Sequence, residues 1–126
     1  MKSLLSDDFF SLAELIHEEE NPEKLEARLR INSGHRIFAG HFPGQPVVPG
    51  VCIIQMIKET LSAHFCKELI LVTAEEVKFL NVINPLENPD IELEFKIRHP
   101  GDDLVHASVV IRGDDKVFMK FKGSFR

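Results

Sequence analysis

The residues best suited to chemistry in this chain lie in one loop, GHFPGQPVVPGV at positions 40–51. Histidine is the residue type whose ordinary pKa suits proton transfer near neutral pH, and His41 is the histidine of this loop. A Pro-Gly pair directly precedes a predicted helix, so the amide N–H groups of Gly50, Val51 and Cys52 have no partners within that helix and lie at the positive end of its dipole. Such a helix start can hold a developing oxyanion. A base beside an oxyanion site favours chemistry at a carbon next to a carbonyl group.

The same loop also has a purely structural interpretation. Pro and Gly are ordinary residues at a helix start, and a neighbouring histidine is often only a hydrogen-bonded structural residue. On these residues alone we would favour the structural interpretation by about three to one, because loop histidines are common and perturbed ones are few.

The element that follows the loop is predicted to be one long helix. Residues 51–66 contain neither Gly nor Pro. Apolar side chains recur on one face at helical spacing: Ile54, Ile57, Leu61 and Phe65. The helix is apolar around much of its start, so we expect its first two turns to be buried. Cys52 and Cys66 fall about 21 Å apart in this helix, too far for a disulfide, and we expect both to be buried thiols in a reducing compartment.

Strand patterns fill most of the remaining chain. From Lys24 to Ile31, apolar and charged residues alternate, which is typical of a strand with one buried face. Turns rich in Pro, Gly, Asn and Asp separate four further β-rich segments, at 69–83, 91–98, 104–112 and 117–125. Such short turns favour antiparallel neighbours. We therefore predict an α+β domain in which a sheet of about five strands closes over the helix.

The first 23 residues follow a different pattern. The segment SDDFFSLAELI opens with Ser and Asp capping residues and places Phe9, Leu12 and Ile16 at helical spacing. It predicts a short helix before a turn at Asn21 and Pro22, or alternatively a loose arm.

Length and composition restrict the class of protein. The chain has 126 residues, 44% apolar and 28% charged, with a net charge of -5, which predicts a single globular domain over residues 1–126. Acidic and basic residues are interspersed, so no basic stripe predicts nucleic-acid binding. No stretch of about 18 apolar residues predicts a membrane span, and we expect a cytoplasmic protein. Lys120, Lys122 and Arg126 form a weak candidate patch for an acidic partner.

The loop GHFPGQPVVPGV resembles the active-site segment of the 3-hydroxyacyl-acyl-carrier-protein dehydratases of type II fatty acid synthesis, which have the hotdog fold. The likeness extends more faintly through the helix and the later strands, over residues 24–126. It implies an antiparallel sheet wrapped around one long central helix, and a homodimer or higher even oligomer whose central helices lie side by side. It also implies an acyl-carrier-protein or CoA thioester as substrate, with no metal and no organic cofactor.

Position by position, the resemblance assigns roles to individual residues. His41 would act on the C2 proton of the substrate, and Gly50 would offer its amide N–H to the thioester carbonyl. The third family residue is an acid on the helix that handles the 3-hydroxyl group, but here that position is Gln55. Glu59 follows four residues later, so the family's usual order of acid and Gln is exchanged. In the family's dimer, His41 of one subunit would face Gln55 and Glu59 of the other.

Three further residues complete the predicted substrate-binding set. Val51 follows Gly50 at the start of the helix. Phe42 and Phe79 fit the core of the domain, and Phe79 also lies where an acyl tunnel would need an apolar wall.

The exchange of Gln55 and Glu59 leaves three interpretations open, in decreasing order of preference. Residues at i and i+4 share a helix face, so Glu59 could reach toward the site and replace the missing acid. Alternatively, Gln55 only orients the hydroxyl group or a water, because an amide cannot transfer a whole proton, and His41 alone shuttles the proton. In the third, the chain is a catalytically silent acyl-thioester-binding subunit. A thioesterase is less favoured, because that class needs an acidic residue aimed at a water.

The other histidines are weaker candidates. His35 and His41 lie six residues apart, but two histidines without a nearby Cys or Asp are an incomplete ligand set, which disfavours a metal site by about ten to one. We expect His35 to form hydrogen bonds or to line the mouth of the loop. We expect His64 and His106 to be partly buried or surface residues.

Overall fold

The fold consists of one antiparallel sheet and one long helix, in a computed structural model that describes residues 3–5, 7–40 and 44–126. The strands are β1 (Phe10–Glu18), β2 (Asn21–Ile31), β3 (Leu71–Phe79), β4 (Asp90–Arg98), β5 (Val105–Gly113) and β6 (Lys116–Phe125), and the helices are α1 (Ile37–Gly40) and α2 (Gly50–Phe65). The order across the sheet is β1-β2-β4-β5-β6-β3. The candidate residues His41 and Phe42 lie outside the described residues, so their roles stay predictions.

Strands β2, β4, β5 and β6 form where the sequence predicts strands, because alternation places every second side chain on one face. The buried side chains of β2 are Leu25, Ala27, Leu29 and Ile31. In the neighbouring strands, Leu93 lies opposite Ala27 on one side and opposite Ile111 on the other, and all three are buried. Burial of an aliphatic side chain as large as Leu contributes about 1.5–3 kcal/mol, so this apolar face is a main source of stability.

Helix α2 shares one core with the sheet, through a face slightly rotated from the predicted one. Its buried residues are Cys52, Ile53, Met56, Ile57, Thr60 and Leu61. Ile54 and Phe65 lie at the border of this face and are only partly buried. Val51 in the first turn is 61% exposed, so the expected burial of the first two turns is wrong for the side that faces away from the sheet.

The end of α2 corrects the expectation for the second cysteine. Cys66 adopts a left-handed conformation (φ 53°) just beyond the last helical turn, and it is exposed. Its amide donates to the carbonyl of Ala63, which ends the helix in the usual way. Cys52 is buried as predicted, and burial raises the pKa of its thiol. No helix in the described ranges is long and apolar enough to cross a membrane.

The N-terminal region forms strand β1, so the predicted short helix is wrong. Strand β1 pairs antiparallel with β2, with Phe10 opposite Ile31. The spacing of its apolar residues suits a helix as well as a strand, but a helix would leave the edge hydrogen-bonding groups of β2 without this partner. The turn lies at Glu19 and Glu20, two residues earlier than predicted, and joins the two strands as a tight hairpin.

Strand β3 forms the opposite edge of the sheet, and it pairs only with β6. Large apolar side chains are exposed along it and just beyond its ends: Ile70, Leu71, Val72, Phe79, Leu80 and Val82. A bare apolar edge strand is normally covered by another element or another chain, because its unpaired backbone groups and apolar side chains favour association.

Candidate active site

Helix α2 begins with two amide N–H groups, those of Gly50 and Val51, that have no hydrogen-bond partner among the described residues. Pro49 is the N-cap residue, in an extended conformation (φ -61°, ψ 143°) and without a side-chain acceptor. The amide of Cys52 donates to the carbonyl of Pro49 (3.0 Å), so the expectation that it is also unpaired is wrong. The two free donors lie at the positive end of a 16-residue helix, where they can receive an anionic oxygen.

Gly50 and Phe79 meet at this helix start. A Cβ added to Gly50 would lie 2.8 Å from Cζ of Phe79, so only glycine lets the backbone approach the ring this closely without a shift. Phe79 is 55% exposed and is therefore not a core aromatic. The amide of Val48 donates to the carbonyl of Ile83 (3.0 Å), which ties the loop before the helix to the segment after β3.

An open cavity of about 320 Å³ lies at this junction. It is lined mainly by apolar residues, including Val48, Ile53, Phe79, Leu80 and Val82, and Gly50 also lines it. The structure thus brings two predicted substrate-binding residues together in a cavity whose lining suits an acyl chain.

Gln55 and Glu59 line a different cavity of about 530 Å³ on another side of α2. Nε2 of Gln55 donates a hydrogen bond to Oε2 of Glu59 (2.9 Å). An ionised carboxylate only accepts hydrogen bonds, so the NH2 group of Gln55 must face Glu59 and its carbonyl oxygen must point away. That oxygen has no partner among the described residues.

Glu59 holds the N-terminal segment, which we define as residues 3–5 and 7–9. Oγ of Ser3 and the amide of Leu5 donate to Oε1 (2.6 and 2.9 Å), and the amide of Leu4 donates to Oε2 (2.9 Å). Burial of the carboxyl group raises its pKa, but the hydrogen bonds from Ser3, Leu5, Leu4 and Gln55 outweigh this effect and hold the pKa below its usual value. Near neutral pH, Glu59 is therefore an ionised acceptor whose two oxygens are both engaged.

The same segment contacts the loop that leads to His41. Oδ2 of Asp7 accepts hydrogen bonds from Nε2 of His35 (3.1 Å) and Nη2 of Arg36 (2.8 Å). Nδ1 of His35 accepts the amide N–H of Ile37 (3.1 Å), so the neutral ring carries its proton on Nε2. The bond from Arg36, helped by His35, holds the pKa of Asp7 below its usual value against the opposite effect of burial. His35 is thus a hydrogen-bonded structural residue.

The remaining histidines lie apart from these groups. His64 packs against His17 and Phe65, with ring centroids 5.5 and 4.8 Å away, and its pKa is lowered by burial and by the charge of His17. His106 lies 2.8 Å from a carboxylate oxygen of Asp102 and is partly buried. Within residues 3–5, 7–40 and 44–126, no three His, Cys, Asp or Glu side chains are close enough to hold a metal ion.

The described candidate residues therefore fall into two groups. Gly50 and Phe79 share the apolar cavity at the start of α2, and Gln55 and Glu59 share the polar cavity beside the N-terminal segment. The sequence analysis missed that segment as part of the site. Two of the three donors from this segment to Glu59 are backbone amides more than 50 residues away in the chain, and no residue type signals such contacts.

Comparison with known proteins gives a family and relatives. Residues 17–118 match the family model described as ApeI-like: ApeI dehydratase. A relative from Thermotoga petrophila, named 3-hydroxyacyl-(acyl-carrier-protein) dehydratase FabZ, is 27% identical over 108 residues, which cover 81% of this chain and 76% of the relative. The protein of the same name from Caulobacter vibrioides is 38% identical over 88 residues, which cover 68% of this chain and 50% of that relative.

Solved structures resemble the whole fold. The dehydratase heterocomplex ApeI:P from Xenorhabdus doucetiae aligns with a TM-score of 0.61 at 23% identity, covering 89% of this chain and 96% of that chain. A mutant thioesterase from Pseudomonas aeruginosa aligns with a TM-score of 0.63 at 10% identity, covering 98% and 84% of the two chains. At these identities the likeness concerns the fold alone. It confirms the predicted α+β hotdog fold, in which an antiparallel sheet accompanies one long helix.

Proposed function

This chain belongs to the ApeI-like dehydratase family, and we propose that it removes water from a 3-hydroxyacyl thioester to give a trans-2-enoyl thioester, in fatty acid or related lipid or polyene biosynthesis. The observation that carries the proposal is the loop at positions 40–51, which supplies His41 and leads into a helix whose first two amides have no partner among the described residues. The reaction needs both. A base must take the C2 proton, and donors must stabilise the thioester oxygen as it gains negative charge.

The proposed reaction uses one histidine for two proton transfers. His41 takes the C2 proton of the substrate while the amide N–H groups of Gly50 and Val51 hold the thioester oxygen, which carries the enolate charge. The enolate then re-forms its carbonyl group as the C2–C3 double bond forms and the C3–O bond breaks. The leaving hydroxyl group takes the proton from the His41 imidazolium and departs as water.

We assign the 3-hydroxyl group of the substrate to Gln55. The NH2 group of Gln55 is committed to Glu59, and its carbonyl oxygen is left to accept a hydrogen bond from the hydroxyl group. Glu59 is the alternative acid, but four hydrogen bonds and a lowered pKa both disfavour proton donation from it. Of the interpretations that the sequence leaves open, the one with His41 as the sole proton carrier fits these contacts best.

A dimer is the proposed functional unit. In one protomer, the cavity of Gly50 and Phe79 is separate from that of Gln55 and Glu59. Pairing two β3 edges would cover the exposed apolar strand and join the two sheets. It would also let His41 of one protomer face Gln55 of the other, as in the family's dimer.

The oligomer has two candidate forms. A homodimer is our proposal, and a heterocomplex is the alternative, since one structurally similar protein is named as a dehydratase heterocomplex. Light scattering of the purified chain separates the two. Twice the chain mass with activity supports the homodimer, and a monomer supports the need for a second kind of subunit.

The test of the proposed function is an enoyl thioester assay, in which the reverse reaction, hydration of crotonyl thioesters of acyl carrier protein and of CoA, is followed by the loss of ultraviolet absorbance. Wild type is expected to exceed the uncatalysed rate, and His41→Ala is expected to lower kcat by about 10²–10⁴-fold, the usual contribution of a general acid–base. If wild type and His41→Ala both give the uncatalysed rate, the enzyme assignment is lost.

A silent acyl-thioester-binding subunit is the second candidate, and Gln55 is the observation that favours it. Gln55→Glu distinguishes the two, because it supplies the acid that the family carries at this position. An inactive wild type that gains turnover from Gln55→Glu supports the silent subunit. An active wild type that gains nothing from Gln55→Glu supports the dehydratase.

A further inference from the structure

The N-terminal segment contacts helix α2, which carries Gln55 and Glu59, and also the residues just before α1. At one end it donates three hydrogen bonds to Glu59 on α2. At the other end, Asp7 accepts hydrogen bonds from His35 and Arg36, six and five residues before His41. One short segment is thus tied to α2 and to the residues just before α1 at the same time.

We propose that this segment is a clasp that positions Gln55 for the reaction, with Glu59 as a positioning residue and not as the acid. The proposal rests on the dehydratase function proposed above and deepens it. It adds the first residues of the chain to the site, and it gives Glu59 a role that requires no proton transfer.

The hydrogen bonds around Glu59 fix the position of its carboxylate. Oε1 accepts from Ser3 and Leu5, and Oε2 accepts from Leu4 and Gln55. Donors from the segment thus fix the plane of the carboxylate from one side. The NH2 group of Gln55 can meet Oε2 only where the segment has placed that oxygen, so the direction of the Gln55 carbonyl oxygen depends on the segment.

The segment also packs into the core through its own apolar side chains. Leu4 is 3% exposed and Phe9 is fully buried. The ring of Phe9 packs against His35 and Phe38, with centroids 5.3 and 5.5 Å away. The segment is therefore held by packing as well as by Glu59, and it can impose a position on the carboxylate.

The donors that the segment offers to Glu59 are neutral. Lys58 is adjacent in sequence, but no described Lys or Arg forms an ion pair with Glu59. Two backbone amides and one hydroxyl group of the segment stabilise the charge by hydrogen bonding instead. Neutral donors at fixed backbone positions define one geometry, whereas a long cationic side chain would follow the carboxylate as it moved.

The experiment removes a donor and leaves Glu59 in place. Leu5→Pro deletes the amide N–H that donates to Oε1, and Leu5→Ala keeps that N–H while removing the same partly exposed side chain. Ser3→Ala removes the hydroxyl donor by a second route. For each variant we would measure kcat and KM with an enoyl thioester, and the hydrogen exchange of the peptide that contains residues 3–9.

The clasp predicts a loss in kcat without a matching change in KM. Leu5→Pro is expected to lower kcat by about ten-fold, because a small displacement of a positioning group costs one to two orders of magnitude, while Leu5→Ala stays within about two-fold of wild type. Ser3→Ala is expected to lie between them. The rate of hydrogen exchange in the peptide that contains residues 3–9 should rise in Leu5→Pro and in Ser3→Ala.

Three results overturn the clasp. The first is faster exchange of residues 3–9 in Leu5→Pro or Ser3→Ala with an unchanged kcat, because the segment would then be loose without consequence. The second is a wild-type segment that exchanges as fast as an unfolded peptide. The third is a wild type whose turnover does not exceed that of His41→Ala. This result refutes the dehydratase function itself, and it is distinguished from the first two because it requires no variant of the segment. If Leu5→Pro does not fold, Ser3→Ala decides between the first result and the prediction.

Discussion

The start and the middle of helix α2 differ in what they leave available to a ligand. At the start, the amides of Gly50 and Val51 have no described partner, and the neighbouring cavity is open and apolar. In the middle, both oxygens of Glu59 are engaged, and the carbonyl oxygen of Gln55 has no described partner. The first region offers two backbone donors, and the second offers the amide oxygen of Gln55 as an acceptor.

This difference teaches which residues can contact a substrate and which can only support it. Free N–H groups at a helix start favour a developing oxyanion, and a free amide oxygen favours a hydroxyl donor. The Glu59 carboxylate already accepts four hydrogen bonds, so it has no acceptor position left for a group of the substrate. Substitutions at the start of α2 should therefore change turnover most, and substitutions around Glu59 should act mainly through position and stability.

The largest effect is expected where the free amide of Gly50 is removed. Gly50→Pro deletes this N–H at the first helical position, where proline is well tolerated, and Pro49 already has the extended conformation that a residue before proline requires. Loss of one oxyanion donor is expected to lower kcat by about 10²–10³-fold in the enoyl thioester assay.

Gly50→Ala is the matched control for this prediction. Its Cβ meets the ring of Phe79 as the proline would, but it keeps the N–H. The half-exposed ring can move, so a smaller loss is expected for alanine than for proline. Equal losses in the two variants would show that crowding at Phe79, and not the missing donor, causes the effect.

The next effect is expected at strand β3, the exposed edge of the sheet beside the start of α2. A Cβ at Gly123 would lie 2.5 Å from the carbonyl oxygen of Thr73 on β3, so Gly123→Ala must push β3 away from β6. We expect a loss of about 1–3 kcal/mol in the free energy of unfolding, as for other overpacked sites, measured by denaturant titration. If β3 is also the dimer edge, light scattering should show a weaker dimer. A fully stable variant would contradict the close approach.

A smaller effect on stability is expected in the middle of α2, where Glu59 accepts its hydrogen bonds. Glu59→Gln replaces an ionised acceptor by a neutral amide, which cannot accept at both positions, and it should cost about 1–2 kcal/mol near neutral pH because hydrogen bonds to a charged group are lost. Ser62→Ala on the same helix loses only neutral hydrogen bonds and serves as the comparison.

The pH dependence of Glu59→Gln gives the sign of this effect. The pKa of Glu59 is lower in the folded protein than the ordinary value of about 4.3 expected for the unfolded chain. Its contribution to stability is therefore complete above about pH 4.3 and is lost as the pH falls through the folded value. The difference between wild type and Glu59→Gln should be constant near neutral pH and should shrink in acid. A difference that grows in acid would contradict the account.

The smallest effect is expected at the far end of α2, where His64 packs against His17. Burial, followed by the charge of His17, lowers the pKa of His64, so protonation favours the unfolded chain. Stability should decline as the pH falls below about 6.5, and His64→Gln should reduce that slope slightly, since charges near the surface are screened. Thermal unfolding of wild type and His64→Gln between neutral and mildly acidic pH measures this change of stability with pH. Identical slopes would show that this histidine does not matter.

The elements around the site could be predicted from the sequence because their signals are local. Helix α2 was predicted within one residue at each end, because sixteen positions lack Gly and Pro. Strand β2 was predicted from the alternation of Leu25 to Ile31. Strand β1 was predicted as a helix, because its spacing fits both structures and its pairing with β2 is a tertiary contact that local pattern does not contain.

The two regions of the candidate site differ in the same way. The unpaired amides of Gly50 and Val51 follow from the Pro-Gly pair and the helix after it, so the sequence predicts them. The state of Glu59 depends on backbone donors at Leu4 and Leu5, and a backbone N–H carries no residue-type signal. Its position four residues after Gln55 predicted that the two side chains share a helix face, but not their hydrogen bond and not that the carboxylate would already be engaged.

The most direct test of the division of labour in α2 is a double-mutant cycle on Gln55 and Glu59. The turnover rates of Gln55→Ala, Glu59→Gln and the double variant would be measured with one enoyl thioester. If Glu59 acts only by positioning Gln55, the double variant is expected to be no slower than Gln55→Ala alone, because the positioning has nothing left to act on. If the two losses instead multiply, or Glu59→Gln is slower than Gln55→Ala, then Glu59 takes part in the chemistry itself and the account is contradicted.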